Sequence, residues 1–285
     1  MRKFFLLTLA AVLLAGGIRS EADPLPTVEI DLPNMPEDAV PLTMVLIPPG
    51  SFEMGSPEDE RGRFPDEGPV RTVNIEYEFY MGKFAVTQAQ WTAVMGENPT
   101  MFSMCGDDCP VDRVSWLDVQ RFLRELNELG LGEFRLPTEA EWEYACRAGT
   151  QTRFYFGDSL DAEDDCVDHP VGDTENTRGD YMWYCANNQF SGPKPVGQTI
   201  PNAFGLYDMS GNVMEWVQDH YHRESYAEAP VDGSEWVPPR SFPSRVVRGG
   251  SWGRNPRFLR SAWRGQFPPH ERQGAIGFRL VMEAQ

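Results

Sequence analysis

Glycine and proline interrupt this chain so often that long helices are excluded. The 285 residues include 26 Gly and 24 Pro. Glycine loosens the backbone and proline removes a donor, so turns and irregular loops must dominate. Three short stretches carry helix start signals. Thr87-Gln88-Ala89-Gln90 is a capping-box pattern ahead of Trp91, Val94 and Met95. Ser115 precedes Trp116, Val119, Phe122, Leu123, Leu126 and Leu129 at helical spacing, with Gly130 as the stop. Thr138-Glu139-Ala140-Glu141 opens a third helix, with Trp142 and Cys146 on one face and Gly149 at its end. Elsewhere the pattern is that of strands. MVLIPPGSFEMGS (44–56) reads as two strands about a Pro-Pro-Gly turn, RTVNIEYEFYMGKFAVT (71–87) as strand-like, and AIGFRLVME (275–283) as one central strand. With no internal repeat and no linker, the expectation is a single α+β domain over 42–285, behind a Pro- and acid-rich lead-in at 23–41.

The N-terminus sets the compartment. Met1-Arg2-Lys3 is a basic head, Phe4 to Ala15 an apolar run, and Ser20-Glu21-Ala22 a small-x-small cleavage pattern, so residues 1–22 read as a secretory signal peptide. The run is short for a membrane span and no later stretch is long enough. A periplasmic or secreted protein without membrane insertion is expected. Cleavage removes three positive charges and one negative, moving the net charge from −18 to −20. That balance argues against nucleic acid and anionic membranes as partners. Five cysteines lie between 105 and 185, and an oxidising compartment favours pairing. Cys105 and Cys109 flank a Gly-Asp-Asp turn, and Cys166 and Cys185 can close a longer loop, although spacing leaves connectivity open. Cys146, within a helical pattern, reads as buried and inert.

Five ordered segments carry a resemblance: MVLIPPGSFEMGS, RLPTEAEWEYACRAGT (135–150), PNAFGLYDMSGNVMEWVQD (201–219), RVVRGGSW (245–252) and GFRLV (277–281). Together they resemble the formylglycine-generating enzymes, or sulfatase-modifying factors, over roughly 42–283. The resemblance implies a variant of the C-type-lectin-like fold. Those enzymes oxidise a cysteine of unfolded sulfatases with oxygen and copper, held by two cysteines shortly after the Gly-Gly-Ser turn. Here Arg254 stands at the first of these positions, and no cysteine follows Cys185. Thiolate is the ligand that selects Cu(I), so copper–cysteine formylglycine formation is not expected. Two other branches are similar: the iron-dependent enzymes of ergothioneine synthesis, whose histidine ligands come largely from an extra domain absent here, and exported PvdO-like pyoverdine-maturation proteins. The latter imply an oxidative maturation factor for a peptide-type substrate, with its redox metal unknown. The alternative is a non-catalytic ligand- or peptide-binding module on the same fold.

The resemblance also implies a structural calcium site at Ser210, Gly211, Val213 and Glu215, where carbonyls and a carboxylate supply hard oxygens. Asn187 and Asn188 resemble half of a second calcium site. Asp219-His220-Tyr221-His222 is the one place where imidazole and carboxylate cluster, and His220 with His222 would share a face as metal ligands. The acidic run 161–168 lacks EF-hand spacing and reads as a solvated loop. Finally, residues 245–266 hold six arginines and no acid. The family's substrate groove forms here, which implies Ser251 and Arg254 as catalytic candidates. Trp252, Arg257, Arg260, Trp263 and Arg264 would then bind substrate, since arginine forks suit carboxylates and tryptophan offers a stacking wall. For Arg260 and Arg264 the competing expectation is pairing with the chain's own acids.

Overall fold

The computed structural model describes residues 24–159, 163–189, 191–223, 226–237 and 243–284. The leader expected over 1–22 lies outside them. Within the lead-in, β1 (Thr27–Ile30) pairs antiparallel with β2 (Leu42–Ile47). A β3–β4 hairpin (Gly50–Met54 and Arg71–Ile75) follows, then β5 (Phe79–Gly82). Thus the strand-like segments at 44–56 and 71–87 each divide between two sheets, with the break at Pro48-Pro49 and at Glu76–Glu78.

Three helices begin where their caps sit. Thr87, Ser115 and Thr138 form capping boxes for α1 (Gln88–Met95), α2 (Trp116–Glu128) and α3 (Glu139–Arg147). Gly96 ends α1 in the left-handed region with φ 74°. β6 (Phe134–Arg135) lies between α2 and α3, and a one-turn helix α4 (Cys185–Asn188) forms where no helical pattern is visible in the sequence. The remaining strands are β7 (Met214–His220), β8 (Arg245–Arg248), β9 (Gly265–Phe267), β10 (Ile276–Phe278) and β11 (Val281–Glu283). They complete a five-stranded antiparallel sheet ordered β1-β2-β5-β11-β6 and a four-stranded sheet ordered β10-β7-β8-β9, in which only β10 and β7 run parallel.

The single strand expected over 275–283 is therefore two, one in each sheet. Arg279 stands at the break, fully buried, with its fork on the Glu215 carboxylate at 2.7 and 2.8 Å. Two tryptophans exchange bonds across the molecule: Trp116 Nε1 donates to the Val217 carbonyl at 3.0 Å, and Trp216 Nε1 to Val114 at 2.9 Å. They lock the start of α2 to β7. One apolar cluster gathers α1, α2 and β10 around Trp91, Phe122 and Phe278. A second surrounds Trp142 of α3. All nine residues of α3 are buried, its three glutamates included. Buried carboxylates demand partners: Glu141 finds Arg135, while Glu139 and Glu143 draw on the arginine-rich segment, Glu143 also on Arg147.

Candidate functional site

β8 delivers the chain into Gly249 and Gly250, both left-handed at φ 83° and 69°. A side-chain carbon on Gly250 would meet the Phe258 carbonyl at 2.4 Å, so no other residue fits. This turn lies back to back with 210–213: Gly211 N–H donates to the Gly249 carbonyl at 2.8 Å, and Trp252 N–H to Asn212 at 2.8 Å. From a third side, Cys185 N–H donates to the Arg254 carbonyl at 3.1 Å. Cys185 is itself tied to Cys166, and Cys105 to Cys109, so both pairings compatible with the sequence are present. A rigid loop thereby presents Trp252 and Arg254. Trp252 meets Phe102 edge-on at 5.5 Å and donates to the Gly274 carbonyl at 3.3 Å. Phe102 fits because Gly192 and Gly274 carry no side chain, since a Cβ at either would lie within 3.0 Å of its ring. Arg254 is exposed, its guanidinium 5.3 Å from the Phe258 ring. Met101 and Met104, 64% and 98% exposed, extend this face. Sequence reasoning missed Phe102 and both methionines; their one signal is the neighbouring disulfide turn.

The other arginines turn inward. Arg260 is fully buried against Glu67 and Glu60, and Arg264 places its fork on Glu139 at 2.6 and 2.8 Å. Neither guanidinium retains surface for a ligand, and Trp263 is buried as well. The substrate-binding role expected of these three is corrected: they build the core. Arg248 joins them between Glu139 and Glu143. Burial alone would push the Glu139 carboxyl up, but Arg264 and Arg248 hold it below the usual range. Arg257 is half-buried, 4.1 Å over the Phe64 ring and bonded to the Gly62 carbonyl at 3.0 Å. Ser251 is 2% exposed, which withdraws it from direct contact with a substrate. The acidic run is likewise more than a solvated loop, because both oxygens of Asp164 accept from the buried Arg153 at 2.7 Å.

The metal-ligand expectations meet competing partners. Glu215 carries the one carboxylate of the calcium loop, and that group is committed to Arg279 and to the Trp142 indole at 2.7 Å. A carboxylate already neutralised by a buried guanidinium does not fit a calcium ligand, and the loop is held by Gly249 and Asn212 contacts instead. Asn187 accepts from Tyr184 N–H and donates to Gly179 and Met182, while Asn188 bridges Ser191 and Gly192. Both amides thus close turns, and the second site does not fit either. Asp219 points its oxygens at the Glu139 and Trp236 amides, at 2.7 and 2.8 Å. His222 stacks on Trp236 with 3.8 Å between ring centres. The two-histidine, one-carboxylate grouping therefore does not assemble; among the described residues no three His, Cys, Asp or Glu side chains come together as a metal site. Cys146, inside α3, is buried and its thiol is pushed up to about 12, chiefly by burial, so it supplies no thiolate.

A mixed fold of short sheets and few helices, closed by a double-glycine turn, defines a sulfatase-modifying-factor-like protein. The family model described as "Sulfatase-modifying factor enzyme 1-like domain" matches residues 32–284, and the chain belongs to that family, with the formylglycine-generating-enzyme variant of the C-type-lectin-like fold. It is similar to the solved structure of PvdO from Pseudomonas aeruginosa at 31% identity and TM-score 0.75, covering 92% of this chain and 100% of that one. Treponema denticola variable protein 1 is similar at 26% identity and TM-score 0.72, over 90% and 99% of the two chains. Among curated relatives, the chaperone protein LppX of Paenibacillus barcinonensis is 30% identical over 72% of this chain and 80% of its own length. The formylglycine-generating enzyme of Thermomonospora curvata is 27% identical over 80% and 88%.

Proposed function

We propose that this is an exported polypeptide-binding member of the family, which grips an extended segment of a partner across the Phe102–Trp252–Arg254 face. It does not form formylglycine by the copper–cysteine route. The observation that carries this reading is the exposed Arg254 where the family's first copper-binding cysteine would stand, beside a tryptophan braced by Phe102 and the Cys166–Cys185 bridge. A planar cation next to an aromatic wall suits acidic and aromatic side chains. Exposed Met101 and Met104 add an adaptable apolar margin. A relative described as a chaperone supports the reading, and two disulfides support an oxidising compartment.

The test is fluorescence anisotropy on a set of labelled twelve-residue peptides graded in acidic and aromatic content. Tightest binding to acidic–aromatic peptides is expected, with loss in Trp252→Ala and Arg254→Glu. Equal binding of all peptides, or unchanged binding by both variants, would sink the idea. Oxidative maturation of a peptide-derived substrate is the second reading, favoured by the full coverage of PvdO. Mass spectrometry of the bound peptide separates the two. Unaltered peptide supports recognition, whereas loss of a hydrogen pair in air supports oxidation.

A further inference from the structure

Away from the glycine turns, a cavity of about 290 Å³ opens between α1, the first turn of α2 and the segment at Arg272. Trp91, Met95 and Pro99 give it an apolar side, and Arg113, Arg121 and Arg272 a cationic one. Arg272 is spent on Asp118, which it meets with both ends of its fork at 2.6 and 2.7 Å. Among the described residues no carboxylate lies within ion-pair distance of Arg113 or Arg121. Glu97 is the other acid in the lining. Three guanidiniums against two carboxylates leave one positive charge at the cavity.

Two features show that this charge is built in. Arg113 sits in the left-handed region at φ 59°, which a side-chain-bearing residue adopts only at a cost of about 1 kcal/mol or more. Its N–H is pinned to the Gln273 carbonyl at 3.0 Å, which holds it there. Trp91 is 3% exposed, and its indole N–H has no hydrogen-bond partner. An unpaired buried donor costs about 1–3 kcal/mol, so the position of this ring at the cavity wall carries a cost of its own.

We propose that this cavity binds a monocarboxylate on a short apolar stem, its carboxylate between Arg113 and Arg121 and its stem against Trp91, Met95 and Pro99. A single negative charge balances the site, whereas a phosphate dianion overshoots it. The acid comes either free in solution or as the C-terminus of a peptide. The site adjoins the peptide-binding face at Gln273-Gly274 but shares none of the Phe102, Trp252 and Arg254 side chains that form it.

Proton–nitrogen correlation spectra test this, because Trp91 supplies one of the chain's eight indole signals, identified by its loss in Trp91→Phe. Hexanoate and N-acetyl-leucine are titrated, with hexanamide, N-acetyl-leucinamide and inorganic phosphate as controls. A saturable shift of the Trp91 signal by an acid but not by its amide is expected. The tighter of the two acids names the source. Arg113→Gln with Arg121→Gln should weaken binding roughly tenfold or more, as loss of charge-assisted bonds requires, with an unchanged melting midpoint. Trp252→Ala should leave it intact, which separates this site from the recognition reading. No saturable Trp91 shift, equal shifts by the amides, tighter phosphate binding, or unchanged affinity in the arginine variants would each overturn the proposal.

Discussion

Glu139 sits between two guanidiniums, those of Arg264 and Arg248, and also accepts the Tyr226 hydroxyl at 3.0 Å. Four donors thus reach it inside the protein, three on Oε1 and one on Oε2. Replacing one charged member of a buried network leaves its partners uncompensated, which costs about 3–5 kcal/mol. Glu139→Gln should lower stability by that amount in urea denaturation. Arg254→Ala, at an exposed guanidinium of the same segment, should leave the midpoint where it was. If both variants behaved alike, the division of the arginine strip into internal and presented residues would be wrong. That division was legible in the sequence only as two competing expectations for Arg260 and Arg264. Arg260 finds Glu67 and Arg264 finds Glu139 across separations of 193 and 125 residues, and composition cannot reveal which arginine meets which acid. The excess of acid elsewhere in the chain was the one available hint that part of the strip is needed indoors.

Elements differ in how openly they announce themselves. The three helices were legible because their caps are local chemistry: each hydroxyl bonds an amide three residues on. The partner is visible in the quoted tetrapeptides for Thr87 and Thr138, while Ser115 was read from its place before a helical run and pairs with Asp118. The strand at 275–283 was misjudged for the opposite reason, since only the distant Glu215 makes Arg279 a point of division. The one-turn α4 has no periodic signal at all. It is held by its context, with the Cys166–Cys185 bridge fixing its first residue and Arg254 accepting that residue's N–H. The bridge encloses a separation of 19 residues, a loop for which cross-linking contributes about 2–4 kcal/mol. Cys166→Ser with Cys185→Ser should lower the melting midpoint accordingly and weaken peptide binding at Arg254 along with it. A variant that lost stability but kept full peptide affinity would show that the bridge braces the fold and not the loop.

At the scale of the whole molecule, burial of unpaired carboxyls sets the response to pH. Asp219 accepts two backbone amides, yet among the described residues no cation lies within ion-pair distance of it, and burial, reinforced by the Glu139 charge, pushes it up to about 8. Asp208 and Asp112 are each pushed up to about 6, chiefly by burial. These groups keep a proton in the folded state that the unfolded chain has already released. Their contribution is complete below the ordinary aspartate range and is lost as pH rises through about 6 and then about 8. Glu139 works in the other direction: held below its usual range, it stabilises above that range and fails only when acid protonates it. The two trends leave a maximum in mildly acidic solution, at about pH 5. Urea midpoints should therefore fall steadily between pH 5 and pH 8, the upper half of that fall belonging to Asp219. Asp219→Asn should flatten the profile above about pH 6, even though the variant is weaker throughout for want of a second acceptor. A midpoint that rose toward pH 8 would mean that the ion-paired glutamates, and not the solitary aspartates, govern how this core answers protons.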